Sequence, residues 1–188
     1  MASLYWKWEK WVPPSICNAL LESLNPEDWK ESIVGDVRAP IRNVAMRNNY
    51  VHFLKINHWM EGILYNHVRY ANTSAEWNYD IDGISPIQVS KYEKDEFYGW
   101  HRDCNIVLGG LDHEQRKLSV VLQLNDPSEY IGGGLELEDE NSYPLGTNIL
   151  LNQGDVVVFP SLIKHRAIEV IEGTRYSATG WITGPQFK

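Results

Sequence analysis

The chain has 188 residues, and its 43% apolar and 22% charged residues predict one folded globular domain over residues 1 to 188 rather than a disordered chain. The formal net charge of −8 and the absence of any apolar run of ~18 residues argue against a nucleic-acid partner and against a membrane helix. With Cys17 and Cys104 as its only cysteines, and no secretion signal in MASLYWKWEKW, we predict a cytoplasmic protein without disulfides.

The first predicted elements are an edge strand and a short helix. The stretch YWKWEKW alternates, with Trp6 and Trp8 on one face and lysines that discourage pairing with other chains. In PPSICNALLESLNPEDW the apolar residues recur at helical spacing, and Ser15 stands where the helix begins. We therefore predict a helix that is capped by Ser15.

A strand and a second helix follow. YVHFLKI has the composition of a strand, and NHWMEGILYNHVRYAN places Trp59, Ile63 and Tyr70 on one helical stripe. The helix is predicted to end at the polar residue Asn72.

The second half of the chain predicts short strands at regular spacing, separated by turns such as NQGD and IEGT. The predicted strands lie in SPIQVSKYEKD, YGWHRDC, KLSVVLQLND, GGGLELED, TNILLN, DVVVFP, RAIEVIEG and RYSATGWITG. This pattern is typical of an all-β barrel or sandwich. The acidic run ELEDEN is predicted to be a solvated strand end.

Three residues of this half have the chemistry of a metal site. On a strand, His101 and Asp103 stand at i and i+2 and project from one face, and His165 follows the buried-strand pattern DVVVFP. Two imidazoles and one carboxylate form the facial triad that leaves coordination positions open on non-haem iron(II). Two alternatives stay open from these residues alone: a hydrogen-bonded surface pair of His101 and Asp103, and a hydrolytic zinc site.

The strand RYSATGWITG suggests what such a metal would work with. Arg175, Ser177, Thr179 and Trp181 recur at period 2, so one face carries a cation, two hydroxyls and an indole. An inward-facing arginine needs an anionic partner, and its planar guanidinium binds both oxygens of a carboxylate. A dicarboxylic co-substrate would link the two observations, with one end on the metal and the other on Arg175 and Ser177. The alternative for Arg175 is a salt bridge with an acidic residue of the chain.

The ordered set of His101, Asp103, His165 and Arg175 carries a resemblance to a known family. Together with RKLSVVLQLND, GGGLEL and GDVVVFPSLIKHRA, it resembles the prolyl 4-hydroxylase-like branch of the Fe(II)/2-oxoglutarate dioxygenases. It is most similar to the small PKHD-type hydroxylases of bacteria and phages. The resemblance covers residues 92 to 185, and ANTSAEWNYDI is similar to the family's approach segment.

The resemblance implies a mainly β fold with N-terminal α-helices. Its core is a double-stranded β-helix, or jelly roll, over about residues 85 to 188, buttressed by helices and strands over about residues 1 to 80. By the family pattern, His101, Asp103 and His165 bind Fe(II), and Arg175 binds the distal carboxylate of 2-oxoglutarate.

Further site residues are implied by the same resemblance. Tyr92 and Gln123 stand where family members place co-substrate contacts, and Trp181 matches an aromatic residue that lines the metal pocket. Core packing is the alternative for Tyr92 and Trp181. Animal collagen hydroxylases have Lys at the Arg175 position, and oxygen-sensing relatives have Tyr at the Gln123 position; the chain departs from both.

The implied activity is hydroxylation of an unactivated C–H bond, foremost of a prolyl residue in a protein or peptide, with 2-oxoglutarate converted to succinate and CO2 and with ascorbate as an auxiliary reductant. Asp103 favours hydroxylation, because related halogenases lack this carboxylate. The alternatives are a hydroxylase of a free amino acid, an AlkB-like nucleic-acid demethylase and a binding module without activity. The AlkB-like branch carries a second arginine where this chain has Trp181. Residues 104 to 117 are predicted to be a loop beside the site, with the composition of a lid.

Overall fold

The computed structural model describes residues 3–34, 41–104, 115–146 and 148–186. Among these residues, no helix combines the length and the apolar character that crossing a membrane requires. The α-helices are α1 (Pro14–Ser23) and α2 (Trp59–Ser74), and short 3-10 helices span Pro26–Asp28 and Pro127–Glu129. The strands are β1 (Trp6–Trp8), β2 (Lys30–Glu31), β3 (Arg47–Asn48), β4 (Tyr50–Phe53), β5 (Gly83–Ile84), β6 (Gln88–Tyr92), β7 (Phe97–His101), β8 (Gln115–Gln123), β9 (Tyr130–Gly132), β10 (Leu135–Glu138), β11 (Pro144–Gly146), β12 (Val156–Pro160), β13 (Lys164–Ala167), β14 (Val170–Gly173) and β15 (Arg175–Gly184).

The strands form two main sheets. The larger sheet has the order β1-β12-β8-β15-β6-β4-β2, with β5 also pairing with β15, and the smaller has the order β11-β10-β13-β7-β3. A separate pair joins β9 and β14, and every pairing is antiparallel. The prediction of a mainly β fold with N-terminal helices is confirmed.

The larger sheet is buried on both faces, which explains why successive residues of KLSVVLQLND are buried and mostly apolar. Successive side chains of β8 alternate, so Leu118 and Val120 pack in the same core cluster as helices α1 and α2. Ser119 and Gln123 lie on the opposite face, which looks toward the smaller sheet, and both are fully buried. The strand therefore joins the hydrophobic core to a polar interior.

The two predicted helices exist, but two details were wrong. Ser15 does not cap α1: it lies inside the first turn, and the residue that precedes the helix is Pro13, without a side-chain cap. In α2, Trp59 and Tyr70 are 45% and 58% exposed, while the buried face contains Met60, Leu64, Val68, Ala71 and their neighbours. The predicted buried stripe was wrong because it was chosen from the large aromatic side chains and not from the helical spacing of the smaller apolar residues.

Helix α2 also runs two residues past Asn72, which was the predicted stop. The Asn72 side chain is buried, donates to the Tyr79 carbonyl and accepts from the Tyr79 N–H, at 2.9 Å each. Its amide is therefore satisfied by the chain that follows the helix, and it does not break the helix.

Several predicted strands have different bounds. RAIEVIEG is split between β13 and β14, and TNILLN contains no strand over residues 148–152, where Ile149 and Leu150 are buried without regular pairing. Residues 115–117, predicted to be loop, begin β8. Residues 105–114, which carry the rest of the predicted lid, lie outside the described part of the chain.

The acidic run ELEDEN is less solvated than predicted. Glu136 accepts from the Arg166 Nε at 2.6 Å, and Glu138 accepts from the Lys164 Nζ at 2.8 Å. Both pairs join β10 to β13 across their antiparallel register, and each glutamate side chain is 14% exposed. These charges therefore belong to the outer face of the smaller sheet.

Two predicted turns depend on glycine. Gly154 in NQGD has φ +85°, and Gly173 in IEGT has φ +78°; in each case an added Cβ would lie 2.0 Å from a carbonyl oxygen. Next to the first turn, the buried Asp155 carboxylate accepts from the backbone N–H groups of Lys10, Leu151 and Asn152 at 2.8 to 3.0 Å. This carboxylate ties β1 to the β12 hairpin.

Candidate metal and co-substrate site

A cavity between the two main sheets gathers the predicted site residues. Strands β6, β8 and β15 line it from the larger sheet, and β3, β7, β10 and β13 line it from the smaller. The predicted residues that line it are His101, Asp103, His165, Arg175, Ser177, Thr179, Trp181 and Tyr92. The period-2 pattern of RYSATGWITG therefore corresponds to one wall of this cavity.

The His-Asp-His cluster stands at the end of two paired strands. His101 is the last residue of β7, and His165 on β13 is its cross-strand partner. Asp103 follows just beyond the strand, in a bend, so the strand-period argument for it was only partly correct. Its Oδ1 lies 3.6 Å from the His101 Nε2, and its Oδ2 lies 3.4 Å from the His165 Nε2. One potential ligand atom from each residue lies within 4.8 Å of the others.

Backbone contacts determine which imidazole nitrogens are available. The Nδ1 of His101 lies 2.8 Å from the Gly99 carbonyl oxygen, and the Nδ1 of His165 lies 3.1 Å from that of Ile163. Because a carbonyl only accepts, each Nδ1 donates its proton to the backbone, and Nε2 is the nitrogen that remains available to a metal. Both free nitrogens face Asp103, as metal ligands do.

The charge state of the cluster also suits a metal ion. Burial lowers the pKa of His165 to about 4, so this ring is neutral at physiological pH. Burial opposes ionisation of Asp103, but His165, His101 and Arg116 together hold the pKa of its carboxyl well below its usual range. Two imidazoles and one carboxylate are a ligand set that fits iron(II), and three protein ligands leave coordination positions open.

A hydrogen-bonded pair of serines positions the Asp103 carboxylate. The Ser119 Oγ donates to Oδ2 at 2.7 Å and lies 2.8 Å from the Ser161 Oγ, and both serines are fully buried. A hydroxyl has one proton, so Ser119 gives its proton to Asp103 and accepts that of Ser161. The Ser161 carbonyl also accepts from the Asp103 N–H at 3.1 Å.

Arg175 stands on the opposite wall of the cavity, 2% exposed. Its Nε donates to the Gln123 Oε1 at 3.0 Å, and its guanidinium lies 5.7 Å from the ring centroid of Tyr92, its cross-strand neighbour. Among the described residues, no carboxylate lies within 4.0 Å of it. The salt-bridge alternative therefore has no partner in that part of the chain, and a buried cation of this kind calls for an anionic ligand.

Gln123 lies behind Arg175 and not on the cavity wall. Its Nε2 donates to the carbonyl and the Oδ1 of Asn125 at 3.2 Å each, which turns its Oε1 toward Arg175. Asn125 in turn donates to the Thr174 carbonyl at 2.8 Å. Gln123 therefore positions the Arg175 guanidinium through a hydrogen bond, whereas the sequence predicted that it contacts the co-substrate.

The comparison with protein families agrees with this geometry. The family model of the 2OG-Fe(II) oxygenase superfamily matches residues 87–183, more than half of the chain and all of the lining strands except β3 and the last residue of β15. The chain belongs to this superfamily. The predicted family is confirmed, and with it the pair of Fe(II) and 2-oxoglutarate that the family uses.

Individual relatives narrow the likeness within the superfamily. A PKHD-type hydroxylase of Acinetobacter baumannii is 35% identical over 101 residues, which cover 53% of this chain and 43% of the relative. The chain thus matches less than half the length of that relative.

Solved structures share the fold over nearly the whole chain. The viral collagen prolyl hydroxylase of Paramecium Bursaria Chlorella virus-1, in its 2OG complex, has a TM-score of 0.70 at 17% identity, covering 97% of each chain. A prolyl hydroxylase of Trichoplax adhaerens, in complex with a hypoxia inducible factor oxygen degradation domain peptide fragment, has a TM-score of 0.63 at 16% identity, covering 95% of this chain and 83% of that one. The predicted jelly roll is confirmed.

Sequence reasoning missed several residues at the site of this oxygenase. Gln88 and Ser90 line the cavity from β6, four and two positions before Tyr92, and the same period-2 argument would have found them. Arg47 lines it from β3, a two-residue strand far from His101 in sequence, and nothing in its surroundings marks it. Tyr98 lines the cavity from β7, and its ring stacks on His101 with centroids 3.5 Å apart.

Proposed function

We propose that the protein is an Fe(II)- and 2-oxoglutarate-dependent dioxygenase that hydroxylates an unactivated C–H bond, foremost of a prolyl residue in a protein or peptide. The observation that carries the proposal is the meeting of the His-Asp-His cluster with a buried arginine that has no carboxylate partner among the described residues, in one cavity. A hydrolytic zinc site requires the cluster alone, so it leaves that arginine unexplained. A dicarboxylic co-substrate uses both.

Residues on one wall of the cavity bind the metal, and residues on the opposite wall bind the co-substrate. His101, Asp103 and His165 hold the metal through Nε2, a carboxylate oxygen and Nε2. Arg175 binds the distal carboxylate of 2-oxoglutarate, with Ser177 beside it on the same face of β15. When bound, iron(II) supplies the activation of O2 that couples oxidation of 2-oxoglutarate to succinate and CO2 with insertion of the other oxygen atom into a C–H bond.

The aromatic residues of the cavity act as walls. Tyr92 lies under the Arg175 guanidinium, and Trp181 ends the row of inward residues on β15. They narrow the space around the co-substrate and help to keep water from the reacting atoms. Trp181 also occupies the position where a nucleic-acid demethylase of the AlkB-like branch would carry its second arginine, and the net charge of −8 adds to the case against that alternative.

Support for a prolyl substrate comes from the neighbours in fold. Two of them are prolyl hydroxylases by name, and one was solved with a peptide. Proline peptides are therefore the first substrates to offer, and a free amino acid is the second. Ascorbate, the predicted reductant, is tested in the same assay by leaving it out.

The decisive experiment traces the two atoms of O2 into the products. The protein is incubated with Fe(II), 2-oxoglutarate, labelled O2 and a panel of proline-containing peptides, and we expect one labelled oxygen in succinate and one in the peptide, by mass. His165→Ala removes a metal ligand, and Arg175→Gln removes the partner of the co-substrate carboxylate. Each variant should therefore incorporate no labelled oxygen into succinate or peptide. Arg69→Gln, which removes an exposed arginine on α2, is the matched control and should behave as wild type.

Two outcomes would contradict the proposal. If either site variant consumed 2-oxoglutarate at the wild-type rate, the site would be assigned wrongly. If the wild type released no succinate with Fe(II) and 2-oxoglutarate under any peptide, the protein would not be an oxygenase of this kind.

A further inference from the structure

Two arginines, one lining the cavity and one packed against its wall, are not assigned to the metal or to 2-oxoglutarate in the proposed reaction. Arg47 lines the cavity from β3, and its guanidinium lies 4.4 Å from the ring centroid of Tyr98, which itself stacks on His101. Arg116, near the start of β8, lies 4.0 Å from the ring centroid of Trp181. Each guanidinium therefore makes a cation–π contact with an aromatic residue that lines the site, a weakly hydrated position that suits arginine.

Among the described residues, no carboxylate lies within 4.0 Å of either guanidinium, and Asp103 acts on Arg116 only from beyond that distance. Arg47 is held by donating from its Nε to the Asn49 Oδ1 at 2.9 Å and from its Nη1 to the Ile33 carbonyl at 3.4 Å. These contacts are neutral, so they orient the guanidinium without cancelling its charge. On the outer face of the smaller sheet, by contrast, Arg166 has a carboxylate at 2.6 Å.

The two arginines also act on each other. Burial lowers the pKa of Arg116, Asp103 raises it, and the charge of Arg47 lowers it further. Two cations thus lie against Tyr98 and Trp181, two aromatic residues of the same cavity, in a chain that has 25 acidic residues against 17 basic ones. Such an arrangement is costly unless an anion is bound between the charges.

The proposed co-substrate does not supply that anion. The two positive charges of iron(II) and the one of Arg175 are balanced by Asp103 and the 2-oxoglutarate dianion. Arg47 and Arg116 then remain uncompensated. The Trp181 Nε1 is a further buried N–H group without an acceptor among the described residues. This side of the cavity therefore offers donors and positive charge, and the missing ligand must bring acceptors and negative charge.

We propose that Arg47 and Arg116 bind a carboxylate of the primary substrate, so the substrate carries an acidic group close to the C–H bond that is hydroxylated. The inference rests on the proposed function, since it concerns the substrate of that same site. A carboxylate can come from an aspartate or glutamate side chain within a peptide, or from the free carboxyl end of a peptide or amino acid. Both sources present the same two oxygens to the guanidinium groups.

The test compares pairs of ligands that differ in one charge. Proline-containing peptides with Glu or Gln beside the proline, and with a free or an amidated carboxyl end, are titrated into the protein loaded with Mn(II) and 2-oxoglutarate, where no turnover occurs. We expect the acidic member of the favoured pair to bind about ten- to a hundredfold more tightly than its amide, the usual size of a lost charge-assisted bond. The pair that shows the preference identifies the source of the carboxylate.

Substitutions assign the preference to the two arginines. Arg47→Gln and Arg116→Gln should each bring the acid-to-amide ratio of affinities close to one, and Arg47→Lys should keep part of it, because the charge remains but the two-pronged contact is lost. Arg69→Gln should leave the ratio unchanged. Because the ratio compares two ligands of the same protein sample, a fraction of misfolded protein lowers both affinities alike and does not imitate the result.

Equal affinities of wild type for acid and amide in every pair would overturn the inference, and so would a preference that survives both Arg→Gln substitutions. Binding of 2-oxoglutarate to the Fe(II) protein, followed by its visible charge-transfer absorption, separates this failure from failure of the proposed function. If the absorption and succinate release are present while the ratio is one, only the carboxylate proposal fails. If the absorption does not form, the proposed function fails with it.

Discussion

Removing one buried hydroxyl should weaken metal binding without touching a metal ligand. In the Ser119→Ala variant, the Asp103 Oδ2 loses the donor that lies 2.7 Å away, and the Ser161 hydroxyl loses its acceptor. The carboxylate can then rotate, and its second oxygen is free to turn toward the metal. We expect a weaker and differently coordinated metal site.

The size of the effect can be approached in two ways. A hydrogen bond to a charged group contributes about 1.5 to 3 kcal/mol, and this bond joins a fully buried hydroxyl to a carboxylate whose side chain is 7% exposed. Loss of an outer partner of a metal ligand costs about 10- to 100-fold in metal affinity, which is about 1.4 to 2.8 kcal/mol. The two ranges agree, so we expect the dissociation constant for the metal to rise by about one to two powers of ten.

The assay is a titration of the metal-free protein with Co(II), read by its visible absorption and repeated in competition with a chelator. The Co(II) spectrum reports the number and type of ligands, and a merely destabilised fold would not change it. Ser119→Thr keeps the hydroxyl and should restore most of the affinity, even though its extra methyl group strains the packing. Ser32→Ala removes another buried hydroxyl, one without a hydrogen-bond partner among the described residues, and should bind metal as wild type does. If Ser119→Ala bound Co(II) within twofold of wild type and with the same spectrum, the hydroxyl would not position Asp103.

Three further predictions concern other parts of the molecule. Gln123→Leu should weaken 2-oxoglutarate binding by about tenfold through loss of the contact with Arg175, and Gln123→Glu should weaken it more, since its carboxylate would pair with Arg175 in place of the co-substrate; calorimetry checks the order. Asp155→Ala should lower the free energy of unfolding in urea by about 3 kcal/mol or more, because three backbone N–H groups lose their acceptor. Burial raises the pKa of Glu96, so the folded state binds its proton more tightly than the unfolded state, and this residue makes the protein less stable as the pH rises above the ordinary glutamate range. Glu96→Gln should therefore be more stable than wild type at pH 7, and the difference should vanish below about pH 4, where both states of Glu96 are protonated.

The sequence was sufficient to predict the site wherever a single strand carried the information. RYSATGWITG forms one ten-residue strand whose inward face has the predicted residues, because a long strand between two neighbours has no freedom to change its period. His101 and His165 were also predictable, since His101 ends β7 and His165 closely follows the buried strand β12. Asp103 was predicted for a partly wrong reason, because it follows a bend and reaches the site from outside the strand.

Contacts between distant segments were beyond the reach of these patterns. Ser161 meets Ser119 across 42 positions of sequence, and Arg175 meets Gln123 across 52. Local periodicity assigns a residue to a face of a strand but does not say which residue of another strand it will face. That depends on register, which tertiary packing decides.

Register also connects the stability of this fold to its chemistry. On β8, Val120 and Leu122 pack with the helices, while Ser119 and Gln123 reach Asp103 and Arg175 on the other face. A shift of β8 by one residue would place polar side chains in the helical core and apolar side chains at the site. Because burying unpaired polar groups in the core is costly, the core keeps β8 in the register that the site requires. The helical layer thus fixes the alignment of the metal wall with the carboxylate wall, although none of its residues lines the cavity.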